Sequence, residues 1–260
     1  MKRTSRSRVF RVVVVVLIAL IALPLTASAS HSWGNYHWAR TSNPFTLRIG
    51  DNVSSAWDPY LNGAIADWTA SSVLNLTKVT GGTTPRSCRP TAGRIEVCNA
   101  TYGNTGWLGI AQIWASGSHI TQGTARMNDT YFNTARYNTP AWRRLVMCQE
   151  VAHDFGLAHQ DENFSNPNLG SCMDYTNDPD GPPSNEHPNT HDFDQLRTIY
   201  AHLDSTSTVG AMPAEIADAD FSSQAEWGQA IAASRSGKPL LFERDLGKGN
   251  KVFTFVFWAE

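Results

Sequence analysis

One stretch, Gln149-Glu150-Val151-Ala152-His153-Asp154-Phe155-Gly156-Leu157-Ala158-His159, restricts the fold of this chain more than any other. Residues four apart on a helix share a face, so the side chains of Gln149 and His153 reach toward one point. Glu150 lies one position round the same helix. Gly156 supplies a left-handed residue that ends the helix and reverses the chain, and the reversal returns His159 toward the same point. The spacing is that of H-E-x-x-H-x-x-G-x-x-H with Gln in the first histidine position. Such a set holds a divalent metal on three donors, leaves a fourth position open, and places a carboxylate beside it. A histidine taken alone is more often structural than ligating. Here the glutamate and the glycine at matching offsets outweigh that reading.

The helix carrying the stretch is well marked. Thr139 acts as its N-cap, and Pro140 occupies the first turn, where a missing N–H costs nothing. Trp142, Leu145, Val146, Gln149, Ala152 and His153 share one face. Upstream, Phe45 to Ile49 alternates as a half-buried strand does. Trp57, Leu61, Ala64, Ile65 and Trp68 recur at helical spacing behind a capping-box-like Ser55 and Asp58. Strands are expected at Leu76 to Val79, Arg94 to Cys98, Ile110 to Ala115 and Ala125 to Phe132. That order predicts a mixed sheet with helices packed on it, an α+β fold. Residues 163–189, rich in Asn, Asp, Pro and Gly, read as irregular. Asp192 to Leu203 reads as the last long helix, with Phe193, Leu196, Ile199, Tyr200 and Leu203 on one face.

The composition shifts after residue 205. A short helix around Trp227 and a hairpin of Leu240 to Arg244 and Val252 to Trp258 are expected, turning at residues 247–250. Phe253, Phe255 and Phe257 on one face and Val252, Val256 and Trp258 on the other make the last strand apolar on both sides. A strand of that kind aggregates when exposed, so it is expected to pack against the main domain.

The opening residues read as a secretory signal over 1–29. Lys2, Arg3, Arg6, Arg8 and Arg11 precede the apolar run Val12 to Leu25, and Ala27-Ser28-Ala29 suits cleavage after Ala29. The run is shorter than the ~20 residues a spanning helix needs. The chain of 260 residues carries 21 bases and 23 acids; without those five bases it has 16 against 23, a net charge of −7. A mildly acidic chain with no basic cluster excludes nucleic acid and anionic membrane as natural partners of the mature form. Four cysteines in an exported chain are expected as disulfides, and three pairings are open. Cys88–Cys98 closes a short loop. Zinc ligation by cysteine is the weaker alternative, since no C-x-x-C spacing occurs.

The 149–159 motif, followed by Ser171-Cys172-Met173-Asp174-Tyr175, resembles the metzincin metalloproteases, most closely the matrixin, astacin and gametolysin-like branches. The second segment looks like the Met-turn that lies beneath their zinc. The resemblance covers approximately Phe45 to Leu203. It implies a metzincin-like domain over 30–204, with a mixed twisted sheet, an active-site helix and a C-terminal extension over 205–260. It implies zinc as cofactor, with Gln149, His153 and His159 as ligands, Glu150 as general base on a water bound to the ion, and Tyr175 steadying the oxyanion. It also implies Cys148–Cys172, because the family fold brings those segments together, and an edge strand that aligns a peptide substrate. The activity expected is that of a secreted, monomeric metalloendopeptidase acting on protein or peptide. Gln149 departs from the family pattern, as a carboxamide is a weaker zinc donor than imidazole. The alternative reading is therefore an impaired pseudopeptidase kept as a secreted peptide-binding module. His119, His187 and His191 read as surface residues, and Asp161 as a second-shell partner or exposed acid. Residues 174–180 are rich in calcium-type ligands but lack EF-hand spacing.

Overall fold

The structure, a computed structural model, describes residues 31–210, 221 and 223–259; the expected signal segment lies outside them. Strand β2 (Phe45–Asn52) buries Phe45, Leu47 and Ile49 and exposes Thr46 and Arg48, as its alternation predicts. It pairs in parallel with β3 (Leu74–Thr80) on one side and β4 (Arg94–Ala100) on the other. β4 pairs in parallel with β6 (His119–Asn128), and the short β1 (His37–Trp38) also runs parallel to β6. Beyond β6 the direction changes, because β5 (Trp107–Ser116) is antiparallel to it. The result is an α+β fold with one mixed sheet and few helices. No helix among the described residues is long and apolar enough to cross a membrane.

Helix α1 (Asp58–Thr69) packs against β3 and against α3 (Pro140–His153), which lies on β5 and β6. β5 and β6 are covered on both faces, which explains why β6 reads as an almost unbroken buried run. Trp38, Trp57, Trp68 and Trp114 fill the core between these layers. Thr139 caps α3 by accepting from the Trp142 N–H at 3.3 Å. Ser55 does not cap α1. The N-cap is Trp57, with no side-chain bond to the helix; its indole N–H instead donates to Asp129 at 2.8 Å. The strand expected to reach Phe132 stops at Asn128. That side chain caps the short α2 (Asp129–Phe132) by accepting from the Thr130 N–H. α4 (Thr190–Ile199) begins earlier and ends sooner than its apolar pattern suggests. A capping box between Asn189 and Asp192 fixes its start.

The C-terminal segment forms a three-residue 3₁₀ turn, Gln224–Glu226, where a helix around Trp227 was expected. Strands β7 (Gln229–Ala233), β8 (Pro239–Gly247) and β9 (Asn250–Trp258) follow, and β7 had no sequence signal. β8 and β9 form the expected hairpin. β9 then pairs antiparallel with β5, so the main sheet continues through β9, β8 and β7.

Both disulfides pair as expected, Cys88–Cys98 and Cys148–Cys172. Gly156 follows the end of α3 at φ +103°, and a Cβ there would lie 2.7 Å from the Tyr36 carbonyl oxygen. Both the conformation and the space require glycine. Gly156→Ala is expected to destabilise the chain by ~1–3 kcal/mol, read as a lowered midpoint in denaturant.

Candidate metal centre and cleft

Gln149, Glu150 and His153 lie on the last turns of α3 and are fully buried. The Gln149 amide donates from Nε2 to the Cys172 carbonyl at 2.8 Å. Only the NH₂ end can face a carbonyl, so Oε1 is turned the other way, where it is buried without a hydrogen-bond partner. His153 Nδ1 stands 2.7 Å from the Leu157 carbonyl oxygen and must carry the proton, which leaves Nε2 a bare lone pair. The turn through Gly156 returns His159 to within 4.7 Å of the His153 ring, edge to face. Its Nδ1 lies 3.3 Å from Glu162 Oε1, and its Nε2 is also without a partner.

Both carboxylate oxygens of Glu150 are buried and unpartnered as well. Unpaired buried polar atoms cost free energy individually, and these five belong to the end of one helix and the chain that returns from it, so a ligand bound there would relieve them. The donor set of two imidazoles and an amide oxygen suits zinc, so the residues present fit the metal that the motif implies. Burial holds the His153 imidazolium well below its ordinary range, with neighbouring His159 adding to the effect; the ring is therefore in its ligating form. Burial pushes the Glu150 carboxyl well above its ordinary range, with the Asp154 charge adding to it. Gly109 on β5 sits directly against this carboxyl, since a Cβ there would lie 2.7 Å from Glu150 Oε1.

Residues 171–175 make a tight turn beside Gln149, whose amide bonds the Cys172 carbonyl. Ser171 Oγ accepts from the Met173 N–H at 2.9 Å and donates to Asp192 at 2.7 Å. The Met173 carbonyl accepts from the Gln160 N–H, and the Tyr175 N–H donates to the Asp161 carbonyl, so the turn is bound to the strand leaving His159. Asp161 thus serves the backbone. Its carboxylate accepts from the Asn163 N–H, and the side chain next to His159 is Glu162. The Tyr175 ring lies 4.4 Å from His159. Burial first, then the charges of Glu150 and Glu162, raises its phenol well above the ordinary range and keeps it a donor.

The Cys148–Cys172 bridge joins α3 to this turn, next to the carbonyl that orients Gln149. Replacing both cysteines by serine is expected to weaken metal binding more than it lowers stability. Loss of a native disulfide costs ~2–5 kcal/mol, which a core of this size tolerates. Unchanged zinc affinity in a folded Cys148→Ser, Cys172→Ser variant would refute the coupling.

β9 covers the cleft. The Phe255 ring stacks flat on His153, centroids 4.0 Å apart and planes 9° from parallel. Phe257 lies 4.8 Å from Tyr175, and the Tyr175 hydroxyl donates to the Val256 carbonyl at 3.1 Å. Sequence reasoning anticipated that this strand would be buried and gave no sign of where.

Of the remaining histidines, His187 is the surface group expected, whereas His119 and His191 are half-buried and meet other side chains. His187 is exposed and pairs with Asp67 at 2.7 Å, as a surface residue does. His191 stacks on the buried His31 beside Asp192, and His119 faces Asp204 together with His37. His31, His37, His202 and Asp204 carried no motif, because their neighbours are distant in sequence. The Asp174 carboxylate accepts from the Leu169 N–H and from Asn185, and Asn168 donates to the carbonyls of Asp178 and Gly181. Those bonds stitch the loop together, and no group of potential ligands occurs there among the described residues.

No protein-family model and no curated protein matches the chain. Among solved structures it is similar to high choriolytic enzyme 1, a hatching enzyme zinc-protease from the medaka fish Oryzias latipes. The identity is 13% and the TM-score 0.34, over 65% of this chain and 96% of that one. At that distance the likeness carries no argument about activity.

Proposed function

We propose that this chain is a secreted zinc-dependent metalloendopeptidase, and the buried, unpartnered atoms of Gln149, Glu150, His153 and His159 within one motif are the observation that carries the reading. Gln149 Oε1, His153 Nε2 and His159 Nε2 would hold the metal, with the 171–175 segment as Met-turn. Bound zinc supplies a Lewis acid that polarises the scissile carbonyl and acidifies water. Glu150 then takes the proton of the attacking water and delivers it to the leaving amine. Its raised pKa belongs to the covered, metal-free cleft; a cation and solvent nearby bring it back toward the carboxylate form the role needs. The Tyr175 hydroxyl, which donates to the Val256 carbonyl, would donate to the tetrahedral oxyanion once that contact is released. Two disulfides suit an oxidising compartment.

The covered cleft and the weak donor at 149 also favour a second reading, a peptide-binding module without turnover. Elemental analysis of the purified, oxidised protein, with a casein-type assay in the presence and absence of chelator, decides between them. The enzyme reading expects zinc that His153→Ala with His159→Ala removes, and chelator-sensitive cleavage once the cleft is uncovered. Zinc without cleavage in an uncovered chain selects the module. No zinc lost on removing the two histidines sinks both.

A further inference from the structure

Away from the cleft, three imidazoles converge on one carboxylate where β1, the start of β6 and the segment after α4 meet. Asp204 Oδ1 lies 3.4 Å from His37 Nε2, 3.3 Å from His119 Nε2 and 3.7 Å from His202 Nε2. His37 Nε2 and His202 Nε2 are 3.1 Å apart. Zinc bonds of ~2.0–2.1 Å place ligand atoms about 3.3–3.4 Å from one another, and the ligand atoms of His37, His119 and Asp204 all lie within 4.8 Å of one another. The His37 ring lies nearly perpendicular to its neighbours, at 84° to His119 and 86° to His202.

Proton bookkeeping sharpens the case. His37 Nδ1 is 2.7 Å from the Asn35 carbonyl, which can only accept, so the Nε2 of a neutral ring is a lone pair. That lone pair faces a carboxylate oxygen and a second imidazole nitrogen. Neutral His202 can place its Nε2–H on that lone pair and neutral His119 its Nε2–H on Asp204 Oδ1, and a divalent cation would take the place of those two protons. Asp204 Oδ2 is occupied by Arg40, through Nη1 at 2.8 Å and the backbone N–H at 3.2 Å, which turns Oδ1 toward the imidazoles. Arg40 also donates from Nη2 to the His202 carbonyl, so one arginine fixes the segment that brings His202 and Asp204. Supports of this kind orient metal ligands.

We propose that His37, His119 and Asp204, with His202 beside them, form a zinc site that clips β1 and the segment after α4 to β6. A metal held between separate segments stabilises the folded chain. The test uses the full mature chain, stripped by chelator and titrated with zinc chloride. Wild type is expected to bind one zinc more per chain than His119→Ala with His202→Ala, and to gain ~5–10 °C in Tm on loading that the variant lacks. The side chains of His119 and His202 are 35% and 53% exposed, so removing them spares the core. His153→Ala with His159→Ala should keep this ion, which separates the outcome from the fate of the cleft. Equal zinc stoichiometry and an equal Tm gain in the His119, His202 variant overturn the site, as does a wild type that binds nothing outside the cleft.

A second inference rests on the proposed peptidase reading and on a different observation. β9 pairs antiparallel along β5 from Trp107↔Trp258 to Ser116↔Asn250, the way an extended peptide adds to a sheet edge. Its Val256 carbonyl accepts from Tyr175, and Phe255 closes over His153. The geometry points to β9 as an internal inhibitor that occupies the substrate's own place. Charges inserted by Phe255→Asp with Phe257→Asp should expel the strand while leaving the metal ligands in place. The expected result in the zinc-loaded full chain is release of cleft zinc to a chromogenic chelator at least ~10-fold faster than in wild type, with casein-type cleavage rising from the wild-type level. If the double variant unfolds, Val256→Pro, which removes one ladder N–H, is the milder probe of the same release rate. Release at the wild-type rate in a folded variant, or full cleavage by the unaltered chain, overturns the inference. Faster release without cleavage upholds β9 as the cover of the metal and counts against the peptidase reading instead.

Discussion

Glu150→Gln is expected to abolish hydrolysis, by ~10²–10⁴-fold in a chain whose cleft has been uncovered, while leaving zinc content unchanged. In the proposed mechanism the carboxylate moves a proton and is not among the three donors assigned to the metal. The same substitution should stabilise the metal-free, covered protein. Burial raises the Glu150 pKa in the folded state, with Asp154 adding to the rise. Between the unfolded value of ~4.3 and that raised value, the unfolded chain releases a proton that the folded chain keeps, so stability falls as pH rises through the window. Glutamine has no proton to release. Melting curves of the two metal-free proteins should therefore converge below about pH 4 and separate above it. The variant melts higher, by ~2–4 °C for each kcal/mol relieved. Equal melting at neutral pH would show that Glu150 is solvated or paired in solution, and hydrolysis at the native rate would remove it from the mechanism.

Gln149→His is expected to tighten zinc binding by ~10-fold or more. Losing a second-shell partner already costs 10–100-fold in metal affinity, and exchanging a carboxamide oxygen for an imidazole changes the donor itself. Position 149 has the setting for it. The side chain is fully buried, its inward atom lacks a partner, and the Cys172 carbonyl stands ready to accept an N–H from whatever donor group is placed there. Metal-competition titration of the two proteins reads the change. Affinity that stays level or falls would mean that residue 149 does not face the metal.

The two predictions draw on parts of the site that were legible for different reasons. Gln149, Glu150, His153 and Gly156 are close in sequence, and helical geometry alone brings them together. Thr139, Pro140 and the hairpin turn were legible likewise, because caps and tight turns are set by local chemistry. The start of α4 was missed because apolar periodicity marks a face, whereas the end of a helix is set by side chains such as Asn189 that bond its free N–H groups. The meeting of His37, His119 and His202 had no signal, since each belongs to a segment whose neighbours are decided by the sheet. The two-sided apolar pattern of β9 required burial but left its partner strand undetermined. A strand finds its place by which sheet edge is free, and β5 offered one.

That covering strand is joined by covalent bonds to the domain whose cleft it fills. A tethered segment works at an effective concentration of order mM, set by the reach of its linker. A free peptide of equal intrinsic affinity would have to exceed that level before it held the edge of β5 half the time. Abundant substrate is therefore a poor key to this cleft. A cut in the chain between α4 and β7 lowers the local concentration at one stroke, and dilution then does what competition cannot.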